Sequence, residues 1–372
     1  METGVDTMLE LQDVVVNESS TPKASRKWQG PLFVVGMWRS GTSLLYALLN
    51  KHPQIALMYE GDLLLLRPLF WTVGGGARKM RRWEFWNQAL QRHGLDAVEV
   101  TNDESSLTSM AKKAYREYAQ QKGALIGGDK SPNYFDSMTR LAEDFPDARF
   151  IVIWRDPASI CRSVIRAAQT AHSWFDRRGM TLRVLLGMEA MRSECNRLAG
   201  RGTPVFELQY DNLVKDPVET MESICRFLEI PFVADMANLE GADRSAIYES
   251  AHHELVHSQR IVSSVKRAEV LPPELKSKIE RYVALWQGQA GGQWPQIVTK
   301  ANDKAGKPSL LERISDRVRY RWLRSVDAAI VLLYCFLPLW LLSRFREFQR
   351  RREDARAKSR QANPPSPDSK VL

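Results

Sequence analysis

The chain has 372 residues, of which 44% are hydrophobic, and its 53 Lys and Arg against 44 Asp and Glu give a formal net charge of +9. This composition is too apolar for a disordered chain and supplies enough apolar residues for one large core or two modest ones. The four cysteines are too few and too widely spaced for a disulfide scaffold, and no Cys-X-X-Cys pair indicates a zinc site. The positive charge is compatible with nucleic acid, an anionic membrane surface or an acidic small ligand as partner.

Residues 1–29 are polar and show no sustained periodicity, so we expect a flexible N-terminal arm. The first 30 residues lack the basic start and the apolar core of a secretory signal. Together with the cysteine usage, this absence predicts a cytoplasmic protein.

Beyond Pro31, short apolar runs alternate with helical patterns. The runs that we predict to be buried strands are Leu32–Gly36, Ala124–Gly127, Arg149–Trp154 and Pro204–Leu208. Such alternation is typical of an α/β fold with a central parallel sheet flanked by helices. A long insertion between Leu63 and Lys122 is rich in tryptophan and mostly helical in pattern, and it is large enough to cover one end of the sheet.

The polar linker Lys300–Ser309 separates a domain predicted over residues 30–298 from a helical C-terminal extension over residues 299–372. Within the extension, an apolar segment at about 326–343 is at or below the length that spans a bilayer, and Pro338 interrupts it. We expect it to lie on a membrane surface or to re-enter the membrane, ahead of a basic disordered tail. The alternative is a helix that packs on the domain or on a partner.

The positive charge is concentrated in this extension. Residues 313–360 contain 13 Lys and Arg against 5 Asp and Glu, a net charge of +8, which leaves the rest of the chain at +1. A nearly neutral domain argues against nucleic-acid binding, and the basic extension favours an anionic membrane surface as partner, with the protein attached peripherally or anchored at its C-terminal end.

The segment Gly36–Ser43 (GMWRSGTS) follows a predicted strand and opens a predicted helix, so its backbone N–H groups converge where a phosphate binds. Its spacing equals that of the Walker loop, but Thr42 replaces the lysine that holds the β and γ phosphates of a nucleoside triphosphate. ATP hydrolysis is therefore disfavoured. The segment suits one phosphate group held by backbone amides and by polar side chains, namely Arg39, Ser40, Thr42 and Ser43 around Gly41. A plain capped strand-to-helix turn is the structural alternative.

This loop resembles the 5′-phosphosulfate loop of sulfotransferases, which use 3′-phosphoadenosine 5′-phosphosulfate (PAPS). Phe150–Ile165 resembles the 3′-phosphate motif of the same family, in which Arg155 ends a strand and Ser163 follows eight residues later. The resemblance extends over Pro31–Trp286 and is closest to the Golgi-type and tyrosylprotein branch. It implies a P-loop-like fold, PAPS as co-substrate and no metal. The loop that closes over the cofactor has no clear counterpart, and Ser258–Arg267 is our suggestion for it.

The resemblance also implies the catalytic residues. Glu60 matches the position of the family's catalytic glutamate and is predicted to be the general base, with Asp62 as a nearby rival. Lys130, in Gly128–Pro132, matches a family lysine and is predicted to stabilise the bridging oxygen, while Arg39 stabilises the sulfonate or the 5′-phosphate. An exposed carboxylate and a surface lysine are the structural alternatives. Tyr210 is compatible with a nucleotide contact or with packing.

Two further features have competing interpretations. His52 lies at a predicted helix end, where capping is a sufficient explanation and catalysis is the alternative. His253–His257 matches His-Glu-X-X-His, the zinc-binding pattern of metalloproteases, although no third-ligand motif, such as a downstream histidine, is obvious. The predicted reaction is sulfuryl transfer to a hydroxyl, most simply of a carbohydrate or a lipid-linked sugar. The alternatives are a P-loop phosphotransferase and a non-catalytic, membrane-associated nucleotide-binding protein.

Overall fold

The computed structural model describes residues 30–65, 86–96, 107–169, 175, 179–247, 261, 271–288, 306–336, 341 and 344. Its centre is a sheet of five strands, all parallel, in the order β2-β3-β1-β4-β5. The strands are β1 (Leu32–Gly36), β2 (Ile55–Tyr59), β3 (Ile126–Lys130), β4 (Arg149–Trp154) and β5 (Val205–Gln209). The predicted α/β class with a central parallel sheet is confirmed.

The helices lie on both faces of the sheet, which explains why a central strand such as β1 is apolar on both sides. Alternate strand residues point to two separate cores, so that Phe33 and Val35 face one core and Leu32 and Val34 the other. The helices are α1 (Thr42–Leu49), α2 (Leu107–Gln121), α3 (Met138–Asp144), α4 (Pro157–Gln169), α5 (Met180–Gly200), α6 (Tyr210–Lys215), α7 (Pro217–Leu228), α8 (Pro273–Gln287) and α9 (Leu310–Phe336). Helices α1 and α7 pack on the second core, and α2, α3, α4, α5 and α8 pack on the first.

The strand predictions were correct for β1 and β4, one residue early for β5 and two to three residues early for β3. The carboxyl half of β3 contains Gly128, Asp129 and Lys130, which do not resemble a buried strand. Gly128 is needed there because an added Cβ would lie 1.9 Å from the carbonyl oxygen of Leu32. Strand β2 was not predicted, because five apolar residues alone do not distinguish a strand from a helix.

Helix α9 belongs to the predicted C-terminal extension and packs against the domain. Leu323 is buried, and Asp316 accepts hydrogen bonds from Lys278 (2.6 Å) and Tyr282 (2.9 Å) of α8. Among the described residues, none of the helices combines the length and the apolar character that crossing a bilayer requires. The predicted arm at 1–29, the boundary near residue 298 and most of 337–372 lie outside the described residues.

Candidate active site

The carboxyl ends of all five strands meet at one edge of the sheet, which is where ligands bind in open parallel sheets. Each residue predicted for the site lies at this edge or on a helix that starts there. Strand β1 leads into the phosphate loop, β2 ends before Glu60 and β3 ends at Lys130. Strand β4 ends before Arg155, and β5 ends before Tyr210.

The phosphate loop depends on two glycines. A Cβ on Gly36 would lie 2.6 Å from both the Ser40 hydroxyl and an Ile153 side-chain carbon, and one on Gly41 would lie 2.4 Å from the ring of Tyr210. Gly41 has a φ of 106°, which side chains rarely allow. It precedes α1, whose first turn has no side-chain cap. The N–H groups at the start of α1 therefore point to the loop and offer donors to an anion.

Two buried polar atoms at this point have no hydrogen-bond partner within the described part of the chain. They are the hydroxyl oxygen of Ser40, a residue with no exposed surface, and Nε of Arg155. Burial lowers the pKa of Arg155, which the charges of nearby Tyr210, Asp211 and Asp156 offset only in part. Unpaired buried donors and cations are costly, so this part of the site is complementary to an anionic ligand.

Arg39, Ser163 and Arg155, which are far apart in the sequence, lie together. The Nε–H of Arg39 donates to the Ser163 hydroxyl at 3.0 Å, and Arg155 donates to the backbone carbonyl of Arg39 at 3.0 Å. Burial, and next the positive charge of Arg155, lower the pKa of Arg39 to about 10. Two guanidinium groups held this close favour a bound ligand with more than one negative charge.

Tyr210 joins the two motifs. Its ring lies against Gly41, and its centroid is 4.1 Å from the guanidinium carbon of Arg155, a cation–π contact. Tyr210 is only 7% exposed, so packing accounts for its position. Its packing also fixes the orientation of Arg155.

On the other side of the loop, a chain of contacts runs from Ser43 to Glu60. Ser43 and Tyr59 share a hydrogen bond of 2.9 Å between their hydroxyl groups, and the ammonium of Lys130 lies 3.3 Å from the centroid of the Tyr59 ring. Lys130 donates to Oε1 of Glu60 at 2.8 Å. The Lys130 side chain is fully buried, whereas that of Glu60 is 25% exposed. Lys130 is therefore not a surface lysine, and Glu60 is reachable from outside.

Lys130 remains a cation despite its burial. Burial alone lowers the pKa of Lys130, but the carboxylate of Glu60 and then Tyr59 outweigh it and raise that pKa above its usual value. Lys130 thus presents a positive charge beside the phosphate loop. The pair can supply a proton acceptor and a charge-stabilising cation within one hydrogen bond of each other.

The turn after β2 is held by a carboxylate that sequence reasoning did not single out. Asp129 accepts the backbone N–H groups of Gly61 and Asp62, each at 2.9 Å, and the two residues beside Gly61, Glu60 and Asp62, have positive φ values of 48° and 53°. Burial, and next the charge of Asp62, raise the pKa of Asp129 to about 7. Because left-handed backbone is unfavourable for both side chains, Asp129 is what fixes the direction in which Glu60 points.

Asp62, the predicted rival to Glu60, is engaged elsewhere. Its carboxylate accepts hydrogen bonds from the Ser131 hydroxyl and, at 3.0 Å, from the side chain of Asn133. These contacts tie the turn after β2 to the turn after β3. Asp62 therefore has a sufficient structural role, whereas Glu60 faces the lysine.

Two histidines have structural roles. His93 accepts the backbone N–H of Tyr59 at 2.9 Å and shares a hydrogen bond of 2.7 Å with the carbonyl of Ala89, and burial lowers the pKa of His93 to about 4. It supports the end of β2 next to Glu60, and no local sequence signal marked it. His52 precedes β2, at the opposite edge of the sheet, and its ring is hydrogen-bonded to the carbonyl of Pro231 at 2.8 Å. This contact agrees with its structural interpretation.

The remaining predictions for the site fall outside the described residues. They concern His253–His257 and, apart from Ile261, the closing segment Ser258–Arg267. Within the described part of the chain, no group of three or more His, Cys, Asp or Glu side chains is arranged to hold a metal ion.

A parallel α/β sheet whose phosphate loop has no Walker lysine, with two buried arginines and a Lys–Glu pair beside it, defines the class of protein expected from the sequence. The sequence model of the sulfotransferase family matches residues 31–235, more than half of the chain. The chain belongs to the sulfotransferase family.

The chain is similar to named members of this family. It is 28% identical over 221 residues to protein-tyrosine sulfotransferase 1 of Danio rerio, covering 57% of each chain. It is 23% identical over 231 residues to a putative protein-tyrosine sulfotransferase of Caenorhabditis briggsae, covering 61% of this chain and 71% of that one. The alignments thus span little more than half of the first relative's length. The solved sulfotransferase domain from the curacin biosynthetic pathway aligns with 69% of this chain and 97% of its own length, with a TM-score of 0.48 at 19% identity.

Proposed function

We propose that this protein is an active sulfotransferase that transfers a sulfuryl group from PAPS to a hydroxyl of an acceptor. The observation that carries the proposal is the set of buried donors at the phosphate loop, Ser40 Oγ and Arg155 Nε, which have no partner within the described part of the chain. Beside them lies the pair of the buried Lys130 and the partly exposed Glu60, and Lys130 is two contacts away from Ser43. The first feature fits a polyanionic donor, and the second fits the chemistry that such a donor requires.

The proposed donor site has two parts. The N–H groups at the start of α1, with the hydroxyls of Ser40, Thr42 and Ser43, bind the 5′-phosphosulfate. Arg155 and Ser163 bind the 3′-phosphate, a group that ATP lacks. Arg39, hydrogen-bonded to Ser163 and within the phosphate loop, belongs to both parts. This division explains why two arginines are held together at the loop.

When bound, PAPS supplies a sulfuryl group whose bond to a phosphate oxygen breaks as a bond to the acceptor oxygen forms. Glu60 is the proposed general base and takes the proton of the acceptor hydroxyl. Lys130 is proposed to stabilise the negative charge on the departing phosphate oxygen. The acceptor reaches Glu60 through its exposed part, while Lys130 stays shielded from water, which strengthens its charge interactions.

The acceptor is proposed to be a phenolic hydroxyl of a protein tyrosine, because the named relatives are protein-tyrosine sulfotransferases. The carbohydrate or lipid-linked hydroxyl expected from the sequence is the second candidate. We also propose that the basic C-terminal extension attaches the enzyme to an anionic membrane surface, supported by its net charge of +8 over residues 313–360.

The test has two parts, binding and transfer. Isothermal titration calorimetry should show binding of adenosine 3′,5′-bisphosphate. If the bisphosphate does not bind and the protein instead turns over Mg²⁺-ATP, a phosphotransferase is supported. Sulfur-35 from labelled PAPS should transfer to a tyrosyl peptide, an oligosaccharide or a lipid-linked sugar, and the preferred acceptor identifies the class. Glu60→Gln should abolish transfer and leave bisphosphate binding intact, whereas the surface variant Glu143→Gln should leave both transfer and bisphosphate binding unchanged. Bisphosphate binding without transfer to any acceptor would indicate a non-catalytic binding protein.

A further inference from the structure

The inner face of α9 carries all three acids of this helix. Glu312 pairs with Arg281 at 2.8 Å and Asp316 with Lys278 at 2.6 Å, and Asp327 pairs with Arg183. Each basic partner belongs to α5 or α8, the helices against which α9 packs. The negative charges of α9 are therefore neutralised where they meet the domain.

The opposite face of α9 is apolar and exposed. We name it the outer stripe, and it consists of Leu310 (69% exposed), Leu311 (79%), Ile314 (50%), Val318 (62%) and Trp322 (63%). At about 100° per residue these positions fall within roughly one third of the helix circumference. Single exposed apolar residues are common, but five on one stripe, including a tryptophan, mark a contact surface.

Basic residues border the outer stripe. Arg317 lies just outside one edge, where it also pairs with Glu189 of α5 at 3.6 Å. Arg321 lies within the stripe near that edge and Arg319 lies beyond the other edge, and all three are exposed. No acid of α9 lies near the stripe, because all of them face the domain. An apolar face between positive edges is complementary to a surface that is apolar inside and negatively charged at its boundary.

We infer that the outer stripe docks α9, lying flat, on an anionic lipid surface. This inference rests on the membrane attachment proposed above and deepens it, since it assigns the contact to residues 310–322, ahead of the apolar segment at 326–343. In a contact with a second copy of the chain through the same stripe, the arginine edges of the two copies would face one another and repel. Anionic headgroups instead neutralise those edges while Trp322 and its neighbours enter the boundary region.

The experiment is flotation of the full chain with two kinds of vesicle, phosphatidylcholine alone and phosphatidylcholine with about one third phosphatidylglycerol. The wild type should float with the anionic vesicles, and less so when NaCl is raised from about 0.15 M to about 0.5 M. Val318→Asp with Trp322→Asp should lower the bound-to-free ratio at least about tenfold. Arg319→Gln with Arg321→Gln should weaken binding to the anionic vesicles only.

Val218→Asp is the matched control, since Val218 is an exposed valine (47%) on α7. It should float like the wild type. The stripe variants should keep the wild-type unfolding temperature and transfer sulfur from PAPS to a soluble acceptor as before, so that a failure of docking is separate from a failure of catalysis. Unchanged flotation of Val318→Asp with Trp322→Asp would assign attachment to the apolar segment and overturn the inference. A second result would also overturn it. In that case the wild type does not float and forms a dimer in sedimentation equilibrium, while Val318→Asp with Trp322→Asp is monomeric.

Discussion

Removing either member of the Lys130–Glu60 pair should lower turnover at least about a hundredfold, but the two variants should differ in stability. Lys130→Met leaves a carboxylate whose side chain is 25% exposed and can gain water, so we expect a cost of about 1 kcal/mol or less. Glu60→Ala leaves the fully buried Lys130 ammonium without its carboxylate, which costs about 3–5 kcal/mol for a buried pair. The contact with the Tyr59 ring at 3.3 Å compensates for only part of this loss.

The difference is measurable by calorimetry. At about 2–4 °C per kcal/mol, the unfolding temperature of Glu60→Ala should lie at least about 4 °C below that of Lys130→Met. Turnover of Lys130→Met with labelled PAPS should fall by about 10²–10³, the usual effect of removing one charge-stabilising donor. Lys122→Met is the matched control, because Lys122 is half exposed and pairs with Asp243 at 3.4 Å, and it should change neither quantity. Equal stability of the two pair variants, or normal turnover of Lys130→Met, would refute the reasoning.

Two further predictions concern the backbone that carries the site. Gly41→Ala puts a methyl group 2.4 Å from the Tyr210 ring at a φ of 106°, so Tyr210 and Arg155 must shift, and affinity for adenosine 3′,5′-bisphosphate should fall at least about tenfold by titration calorimetry. Gly202→Ala is the matched control, because Gly202 also has a positive φ, 69°, but no atom lies within 4 Å of the added carbon. Unchanged bisphosphate affinity of Gly202→Ala would show that the loss in Gly41→Ala comes from the contact with Tyr210. Burial, and next the charge of Asp62, raise the pKa of Asp129 from the ordinary value of 3.8 to about 7. Between these two pH values the folded state therefore binds more protons than the unfolded state. The stabilisation from Asp129 is thus complete at low pH and is lost as pH rises through 7. The urea midpoint should therefore fall from pH 5 to pH 8 in the wild type and change less in Asp129→Asn, and equal slopes for the two proteins would contradict this assignment.

The parts of the site that the sequence predicted are those encoded in consecutive residues. The phosphate loop, with its glycines and hydroxyls, occupies eight positions, and β1 and β4 are apolar runs with clear ends. Such segments are local, so spacing and hydrophobicity suffice to identify them. The match between two family motifs then indicated that Arg39 and Ser163 belong to one site, and they are hydrogen-bonded across 124 residues of sequence.

The parts that the sequence did not predict depend on contacts between distant residues with no local signal. His93 is 34 residues from Tyr59, whose backbone N–H it accepts, and Asp129 is 68 residues from Gly61. Nothing in the neighbourhood of either residue marks it as a support for Glu60. In α9 the sequence spacing alone separates the acids from the exposed apolar residues, but only the packing shows that the acids face the domain and the apolar residues face outward.

The strand order divides the proposed chemistry across the sheet edge. Glu60 and Lys130 follow or end β2 and β3, Arg155 and Tyr210 follow β4 and β5, and the phosphate loop on β1 lies between them. At roughly 4.8 Å per strand, the four intervals from β2 to β5 span about 19 Å. Variants at the β4–β5 end, such as Arg155→Lys, should therefore weaken bisphosphate binding with little change in turnover at saturating PAPS. Variants at the β2–β3 end, such as Lys130→Met, should lower turnover with little change in bisphosphate binding. A variant of either end that changed both quantities equally would show that donor binding and proton transfer are not separable along this edge.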